Sequence, residues 1–424
     1  MAVPISADQI QACAAANHVS WFASRARVTG GHAGRDGALD WAVEQTDGVL
    51  ASILFPAAGG PGGRAALDAA IDRCRDAAGV RSISVWSRTP ADPPGLGAWL
   101  LARGFGWGWQ PHWMAADLGR VPDPLVPDGV HIEVLDAAVD WAVEDLPYYT
   151  PATGRLAGLR AAETPRTTWS VAALEGDRPV GHVAAHVGPA GSEAGMYDFG
   201  VVPGARRRGI GSALALTALG LAAGAACRWL TLNSTVAGEP VYRRLGFASG
   251  GHGQTWWLLG QPLPAPPAAG EIAFIEAVGL GDLDRLEALR VGLDRHDLER
   301  RYGCDRTPAQ VALLTGRPAA VDWLEANGAV LDVVSAWDTG GRERAAALLG
   351  RHPEVTDRTV DGRGATALHV AIERDLPELV DLLLDHGADP QVRDGVWRAD
   401  AMGWARALGR DHLAAVLDAR RGRR

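Results

Sequence analysis

A run of arginines and glycines near the middle of the chain has the clearest capacity for chemistry. The run reads Arg206, Arg207, Arg208, Gly209, Ile210, Gly211 and Ser212. It follows a strand-like segment closed by Pro203 and opens a long uncharged segment typical of a helix. Glycines in such a loop let backbone N–H groups approach one anion, which the start of a helix also favours. The pattern therefore predicts a phosphate-binding loop.

Two common phosphate loops are excluded by the spacing. The chain lacks G-x-x-x-x-G-K-[ST], and the first two glycines of a G-x-G-x-x-G fingerprint are absent here. A second element, Y-R-R-L-G-F, spans residues 242–247. The order V-x-P, then R-x-x-G-x-G, then Y-x-x-L-G-F resembles the GCN5-related N-acetyltransferase (GNAT) superfamily over about residues 129–260.

This resemblance implies an acyl-CoA-dependent N-acyltransferase. The simplest expectation is transfer of acetyl from acetyl-CoA, a co-substrate, to a primary amine by direct attack in a ternary complex, without a metal. In the family, the arginine–glycine loop holds the pyrophosphate, and the strand before it splays from its neighbour to bind the pantetheine arm. The strand residues implied here are Phe199, Gly200 and Val201.

The resemblance also suggests catalytic groups. Tyr242 occupies the position of the family's general acid, which protonates the departing thiolate, although a tyrosine there also suits a helix core. The family's CoA-contacting asparagine position is occupied by Thr235, because Asn233 falls two residues before it.

Deprotonation of the amine has several candidates. Asp198 lies five residues before Pro203 and is the first choice for a base, although it could equally be a structural carboxylate. Glu193 is the second. Three strand histidines are weaker candidates, because such histidines more often hydrogen-bond in a core; they are His182, His186 and His252. Whether a dedicated base exists stays open.

Five tryptophans flank this region, and they have two interpretations. They are Trp107, Trp109, Trp113, Trp256 and Trp257. Aromatic faces attract cations and could line a slot for an ammonium group. Tryptophan on strands is more often core, so we assign most of them to the core and one or two to a pocket.

The chain divides into three predicted domains. A proline- and alanine-rich linker at residues 261–270 separates a catalytic domain at 125–262 from a helical block at 271–424. Residues 1–124 form a degenerate copy, because residues 100–118 parallel residues 243–260. This first half lacks the arginine–glycine loop, so we expect it not to bind CoA and instead to wall the acceptor site. The predicted fold class is α+β with mixed sheets, followed by an all-α solenoid.

The C-terminal block resembles ankyrin repeats. The hexapeptides T-A-L-H-V-A at 366–371 and T-P-A-Q-V-A at 307–312 match the T-P-L-H-x-A start of that repeat. We expect four or five stacked units, with residues 400–419 as the cap. His369 is expected to hydrogen-bond loop backbone.

Bulk properties limit location and partners. A net charge of −9 argues against a nucleic-acid partner. The uncharged segment 209–227 is expected to be a buried helix, since alanine and glycine carry little membrane-transfer energy, and no membrane association is predicted. The four cysteines are scattered, and the N-terminus lacks a signal-peptide pattern, which together predict a cytoplasmic protein.

The acceptor remains open between two classes. A small amine fits the acidic charge, whereas a protein acceptor fits the repeats. A second hypothesis is a non-catalytic scaffold whose acyltransferase fold only senses CoA or is a relic.

Overall fold

The computed structural model describes residues 5–37, 39–46, 48–57, 60–89 and 93–421. The strands are β1 (His32–Asp36), β2 (Leu39–Gln45), β3 (Val49–Leu54), β4 (Val80–Ser87), β5 (Gly106–Trp107), β6 (His112–Asp117), β7 (His131–Leu135), β8 (Thr168–Glu175), β9 (Arg178–Val187), β10 (Glu193–Val201), β11 (Trp229–Ser234), β12 (Ala248–His252) and β13 (Gln254–Leu259). Helices α1 to α6 are Ala7–Val28, Gly60–Asp76, Leu96–Ala102, Pro151–Ala161, Ile210–Gly224 and Glu239–Arg244. Helices α7 to α16 are Ala269–Leu280, Leu283–Leu289, Arg295–Glu299, Pro308–Leu314, Pro318–Ala326, Val333–Arg351, Ala367–Glu373, Pro377–Asp385, Ala401–Ala407 and Asp411–Arg421.

The strands form two mixed sheets. The first has the order β1-β2-β3-β4-β13-β5, and the second has the order β12-β6-β11-β10-β9-β8-β7. A helical region follows them in the chain. The predicted class, α+β followed by an all-α region, is confirmed.

The two sheets exchange strands between the halves of the chain. Strand β6, from the first half, lies between β11 and β12 of the second sheet, and its His112 faces Ser234. Strand β13, from the end of the second half, pairs antiparallel with β4, so that Gln254 faces Ser87. Two strands, β6 and β13, therefore pair with strands from the other side of the predicted domain boundary near residue 125.

Helix α5 covers one face of the second sheet. Its buried side chains, among them Leu214 and Leu219, pack with Val171, Val183 and Met196 from the strands. This places residues 210–224 in a protein core, as expected for the uncharged segment. No helix in the described part of the chain is both long and apolar enough to cross a membrane.

Helix α1 covers the opposite side. It begins at a capping box in which Ser6 and Gln9 exchange hydrogen bonds, a motif that satisfies the free amides of a first turn. Its buried face carries Asn17, His18 and Trp21, and it packs on strands of both sheets. The first half thus supplies a wall for the second sheet.

The two sheets differ at their parallel strand pair. In the first sheet, β3 and β4 pair from Val49 to Leu54, along the whole of β3. In the second sheet, β10 and β11 pair only from Glu193 to Gly195, although β10 continues to Val201. Only the second sheet therefore opens between its parallel strands.

The helical region forms a separate compact unit from residues 265–424, together with residues 97–106. Its described part contains five helix pairs, counting the two halves of α12 that meet at the non-helical Gly340 and Gly341. The Thr366 amide donates to His369 Nδ1 at 3.1 Å, and His369 Nε2 contacts the Ala399 carbonyl at 3.3 Å. The structural role predicted for this histidine is confirmed.

Candidate active site

The arginine–glycine loop leads directly into α5. Gly209 is the N-cap of the helix and has φ of 92°, a left-handed conformation that residues with a Cβ rarely adopt. Arg207 also has a positive φ, of 65°. Together these two residues turn the chain sharply between β10 and the helix.

The loop presents unused hydrogen-bond donors to solvent. Within the described residues, the amides of positions 209–212 donate to no group, and Gly209 receives no side-chain cap. Residues 206–209 are exposed, and only Pro127 comes within 4 Å of a Cβ built at Gly209. Several free amides at a helix start form an anion-binding site.

The loop arginines have defined positions. The Arg206 Nε donates to the carbonyl of Val201 at 3.0 Å, which ties the loop to the end of β10. Arg208 forms an ion pair with Glu175 at 2.5 Å. These contacts hold the loop while leaving its positive charges at the surface.

Phe199, Gly200 and Val201 lie on the part of β10 that has left β11. The aromatic ring of Phe199 lies 3.5 Å from the Cβ position of Gly211, so the splayed strand and the loop are adjacent. A Cβ at Gly200 would meet the Pro147 carbonyl oxygen at 2.4 Å, so only glycine admits this close crossing. The open strand pair thus ends at the loop.

Tyr242 lies beside this opening. Its ring centroid is 6.0 Å from that of Phe199 and 5.6 Å from that of Phe247. Burial, reinforced by Tyr148, raises the pKa of the Tyr242 phenol above its usual value, so it stays protonated at neutral pH. Its hydroxyl makes no hydrogen bond to the described residues and is free to donate.

Asp198 lies at a β-bulge, where the pairing of β10 with β9 shifts register. Its φ of 49° is unusual for aspartate. One carboxylate oxygen accepts a long hydrogen bond, 3.3 Å, from Arg25 of helix α1, which also pairs with Glu44 at 2.7 Å. The carboxylate predicted as the base therefore belongs to a charge cluster that includes the first half.

Glu193 and two of the histidines have structural surroundings. Glu193 is buried at the paired end of β10 and accepts a hydrogen bond from Ser192 at 2.6 Å. His186 contacts Thr168 with Nδ1 and Ser20 with Nε2, and burial lowers its pKa to about 3. His252 stacks on His112 at 4.4 Å.

His182 differs from the other histidines. Its Nδ1 lies 3.1 Å from the Asp198 carbonyl, whereas its Nε2 is buried without a hydrogen-bond partner. Burial lowers its pKa, so the ring is neutral at pH 7 even though Asp198 acts in the opposite direction.

Asn233 and Thr235 also have partners within the protein. The Asn233 amide nitrogen lies 3.1 Å from Nε2 of His18, whose pKa burial lowers to about 3. The Thr235 hydroxyl accepts from the Gly238 amide at 3.2 Å, at the start of α6. Both side chains therefore contribute to structure around the opening.

The tryptophans divide as core and rim. Trp113 and Trp256 are buried. The ring of Trp86 meets those of Trp109 and Trp257 edge-on and that of Trp113 at a tilt. Trp109 is 39% exposed. In the described part of the chain, no group of three or more His, Cys, Asp or Glu side chains is arranged to hold a metal ion.

One buried cation was missed by the sequence analysis. Arg160 on α4 is 1% exposed and lies 4.4 Å from the ring centroid of Trp21. Nothing local marks it, because it stands among ordinary helix-forming residues. Its environment arises from α1, more than one hundred residues earlier.

Two regions of the chain match known protein families. Residues 134–247 match the model of the acetyltransferase (GNAT) family, and residues 363–395 match the ankyrin repeat. A curated relative is ankyrin repeat domain-containing protein 63 of Mus musculus, 30% identical over 158 residues, or 37% of this chain and 34% of that protein. The chain thus spans about a third of the length of that relative.

Solved structures with similarity include a GCN5-related N-acetyltransferase from Kribbella flavida, at 20% identity and a TM-score of 0.45, covering 62% of this chain and 100% of that one. A tandem GNAT protein from the clavulanic acid biosynthesis pathway has 16% identity and a TM-score of 0.37, covering 62% and 98%.

The splayed parallel strand pair and the helix start with free amides both lie within the region that matches the acetyltransferase (GNAT) family model. The chain carries a GNAT domain at residues 134–247 and an ankyrin repeat at residues 363–395.

Proposed function

We propose that this protein is an N-acetyltransferase that moves an acetyl group from acetyl-CoA to a primary amine. The observation that carries the proposal is the row of free amides at residues 209–212, adjacent to the open end of β10. In a domain that no longer bound CoA, we would not expect free amides beside an open strand pair. The parallel pair of the first sheet has no such opening.

The residues present fit acetyl-CoA. The diphosphate would bind the amides of residues 209–212, with the loop arginines 206–208 around it. The pantetheine arm would lie along Phe199, Gly200 and Val201, where β10 has no partner on the β11 side. Bound acetyl-CoA supplies the acetyl group as an activated thioester.

The protein would contribute position and two proton sites. The attacking amine must arrive neutral, and Asp198 is the carboxylate on the strand that leads to Phe199. As the new carbon–nitrogen bond forms and the carbon–sulfur bond breaks, sulfur needs a proton. The phenol of Tyr242, kept protonated by burial, would donate it.

Binding of CoA to the full-length protein tests the proposal first. Calorimetry should show one site, and thiol release from acetyl-CoA should require an added primary amine. A library of small amines and a set of peptides serve as acceptors. The enzymatic proposal is overturned if CoA does not bind at millimolar concentration.

A second candidate is an interaction scaffold. Val396 and Trp397 are 58% and 61% exposed in the loop that follows the matched repeat. Large exposed apolar side chains are a common feature of protein-binding surfaces. If a protein acceptor docks there, Trp397→Ser should reduce acetylation of peptides or proteins and leave small amines unaffected. Equal loss with both acceptor types would argue against docking.

The proposal includes a cytoplasmic location. Cys13, Cys74, Cys227 and Cys304 are all free thiols, which suits a reducing compartment.

A further inference from the structure

Arg160 is a buried cation whose guanidinium makes no hydrogen bond or ion pair with the described residues. Its Nε and both terminal nitrogens are inaccessible to solvent and have no hydrogen-bond partner in the described structure. No carboxylate oxygen of the described residues lies within 4.0 Å of them. Burial lowers the pKa of this guanidinium to about 10, so it remains charged at neutral pH. A buried charge in this state is costly unless something pairs with it.

Other polar atoms on the same side of the second sheet also lack partners. They are Ser170 Oγ and His182 Nε2. Ser170 pairs with Ala184 on β9, two residues from His182, so both side chains point to one face of the sheet. The Tyr149 ring contacts His182 edge-on at 5.5 Å. This face therefore carries polar groups without partners. The electrostatic neighbours of Arg160 are a second cation, Arg25, and the carboxylates Asp198, Glu44 and Glu163.

A carboxylate with spare capacity lies in the same cluster. Asp198 interacts electrostatically with Arg160 and with His182. Among the residues that the structure describes, its carboxylate accepts one hydrogen bond, the 3.3 Å contact from Arg25, so most of its acceptor positions are unused. Its side chain is 17% exposed, unlike that of Arg160.

The cluster is next to the proposed reaction centre. Asp198 directly precedes Phe199, which contacts the Cβ position of Gly211 and faces Tyr242. A fully buried cation and a partly exposed anion are complementary to a ligand that carries a carboxylate and an amino group.

We propose that Arg160 and Asp198 form an acceptor subsite for a small amino-carboxylate, such as a free amino acid. Arg160 binds the carboxylate in the fork geometry that a guanidinium offers, and Asp198 binds the amino group beside the acyl donor. This inference rests on the proposed acetyltransferase function. Both side chains contact α1, Arg160 through Trp21 and Asp198 through Arg25, and such an enclosed position favours a small free acid over the end of a folded protein.

Matched acceptor pairs test the inference with the full chain. Each amino acid of the standard set is compared with its carboxamide, which keeps the amine and removes the negative charge. The wild-type protein should prefer the best acid over its amide about 30-fold in kcat/KM, because a buried charge pair would be lost. Arg160→Gln should abolish that preference and leave CoA binding unchanged.

Two variants control for structure. Arg155→Gln changes an exposed arginine on the same helix and should keep the preference. Arg160→Lys keeps the charge and should retain part of it, which a purely structural role would not predict. If Arg160→Gln does not fold, the wild-type preference and the lysine variant decide the question.

Direct binding separates this inference from the proposed function. Amino acids should raise the Tm of the wild-type protein and not that of Arg160→Gln, whether or not turnover occurs. Binding of amino acids without CoA binding would overturn the acetyltransferase and keep the subsite. The subsite would be overturned if carboxamides were acetylated with an equal or higher kcat/KM than the free acids. It would also be overturned if CoA bound but no amino acid changed the Tm.

Discussion

Tyr242 combines the properties that a general acid requires at the residue scale. It is buried, protonated and close to the splayed strand, and its hydroxyl is free of hydrogen bonds to the described residues. The same burial also packs it against Phe247, so its ring has a structural function. Removing only the hydroxyl separates the two functions.

Tyr242→Phe should lower kcat about 100-fold, because the leaving sulfur loses its proton donor while the ring packing is kept. The KM for the amine should change little. Tyr302→Phe, a tyrosine of the helical unit, is the matched control and should keep full turnover. An unchanged kcat in steady-state thiol-release assays would show that Tyr242 is only a core residue.

Asp394 is the second residue with a testable electrostatic role. Burial acts to raise its pKa, but hydrogen bonds from the Trp404 indole and the amides of Trp397, Ala399 and Val396 outweigh this and lower the pKa below the usual range. The unfolded aspartate titrates at about 3.9. Its stabilising contribution is therefore complete above that pH and is lost as the pH falls toward the folded-state pKa.

Asp394→Asn should consequently lower the Tm of the helical unit at pH 7, because one amide nitrogen replaces an acceptor among four donors. The difference from wild type should shrink between about pH 4 and pH 2. Asp418→Asn, at an exposed position on α16, serves as the control. A Tm difference that is constant over this range would contradict the assignment.

Residue identity alone predicted some of these features and not others. The loop at 206–212 and Tyr242 could be found because their spacing is local in the sequence. Arg160 could not, because its surroundings come from Trp21 and Asp198 through folding. Asp198 was identified from its distance to Pro203, but its ion pair with Arg25, 173 positions away, has no local signal.

At the scale of elements, the turn between β10 and α5 determines the proposed acetyl-CoA site. Gly209 is needed for its φ of 92°, whereas Gly211 is needed for space, because Phe199 lies 3.5 Å from its Cβ position. These are different requirements, and they predict different responses to substitution.

Gly209→Ala should strain the turn by about 1 to 2 kcal/mol and weaken CoA binding roughly tenfold. Gly211→Val should weaken it more, since the branched side chain would occupy the space beside Phe199. Gly220→Ala, in an open position on the same helix, should leave binding intact and slightly stabilise the helix. Calorimetry with CoA measures all three, and unchanged affinity for the first two would remove the loop assignment.

The element pattern was predictable where periodicity is strong. The uncharged segment became α5, and the ankyrin hexapeptides begin helices α10 and α13. The pairing of β6 and β13 with the opposite halves was not predictable, because alternation in a strand specifies its faces but not its neighbours.

At the scale of the whole molecule, the exchange joins the two halves into one folding unit. Residues 1–96 and 107–264 group as one compact body. The domains 1–124 and 125–262 stay a prediction, and because strands β6 and β13 pair with the opposite halves, we do not expect the two parts to be stable when separated. The helical unit likewise includes residues 97–106, so removal of everything after 264 would expose the surface that those residues cover.

Separate expression tests this expectation. Residues 1–124 alone would leave the β4 edge unpaired, and residues 125–264 alone would lack the strand between β11 and β12. Both pieces should be aggregated or unfolded by circular dichroism, whereas the two coexpressed should associate. A cooperative thermal transition for either piece alone would show that the exchanged strand is dispensable.

The exchanged β13 also constrains the order of events during synthesis. The first sheet cannot close between β4 and β5 until the ribosome has released Leu259, long after its other strands have emerged. A nascent chain paused near residue 200 would hold an open strand edge, the state that chaperones bind. Slow translation of the region between β4 and β13 should therefore lower the yield of folded protein.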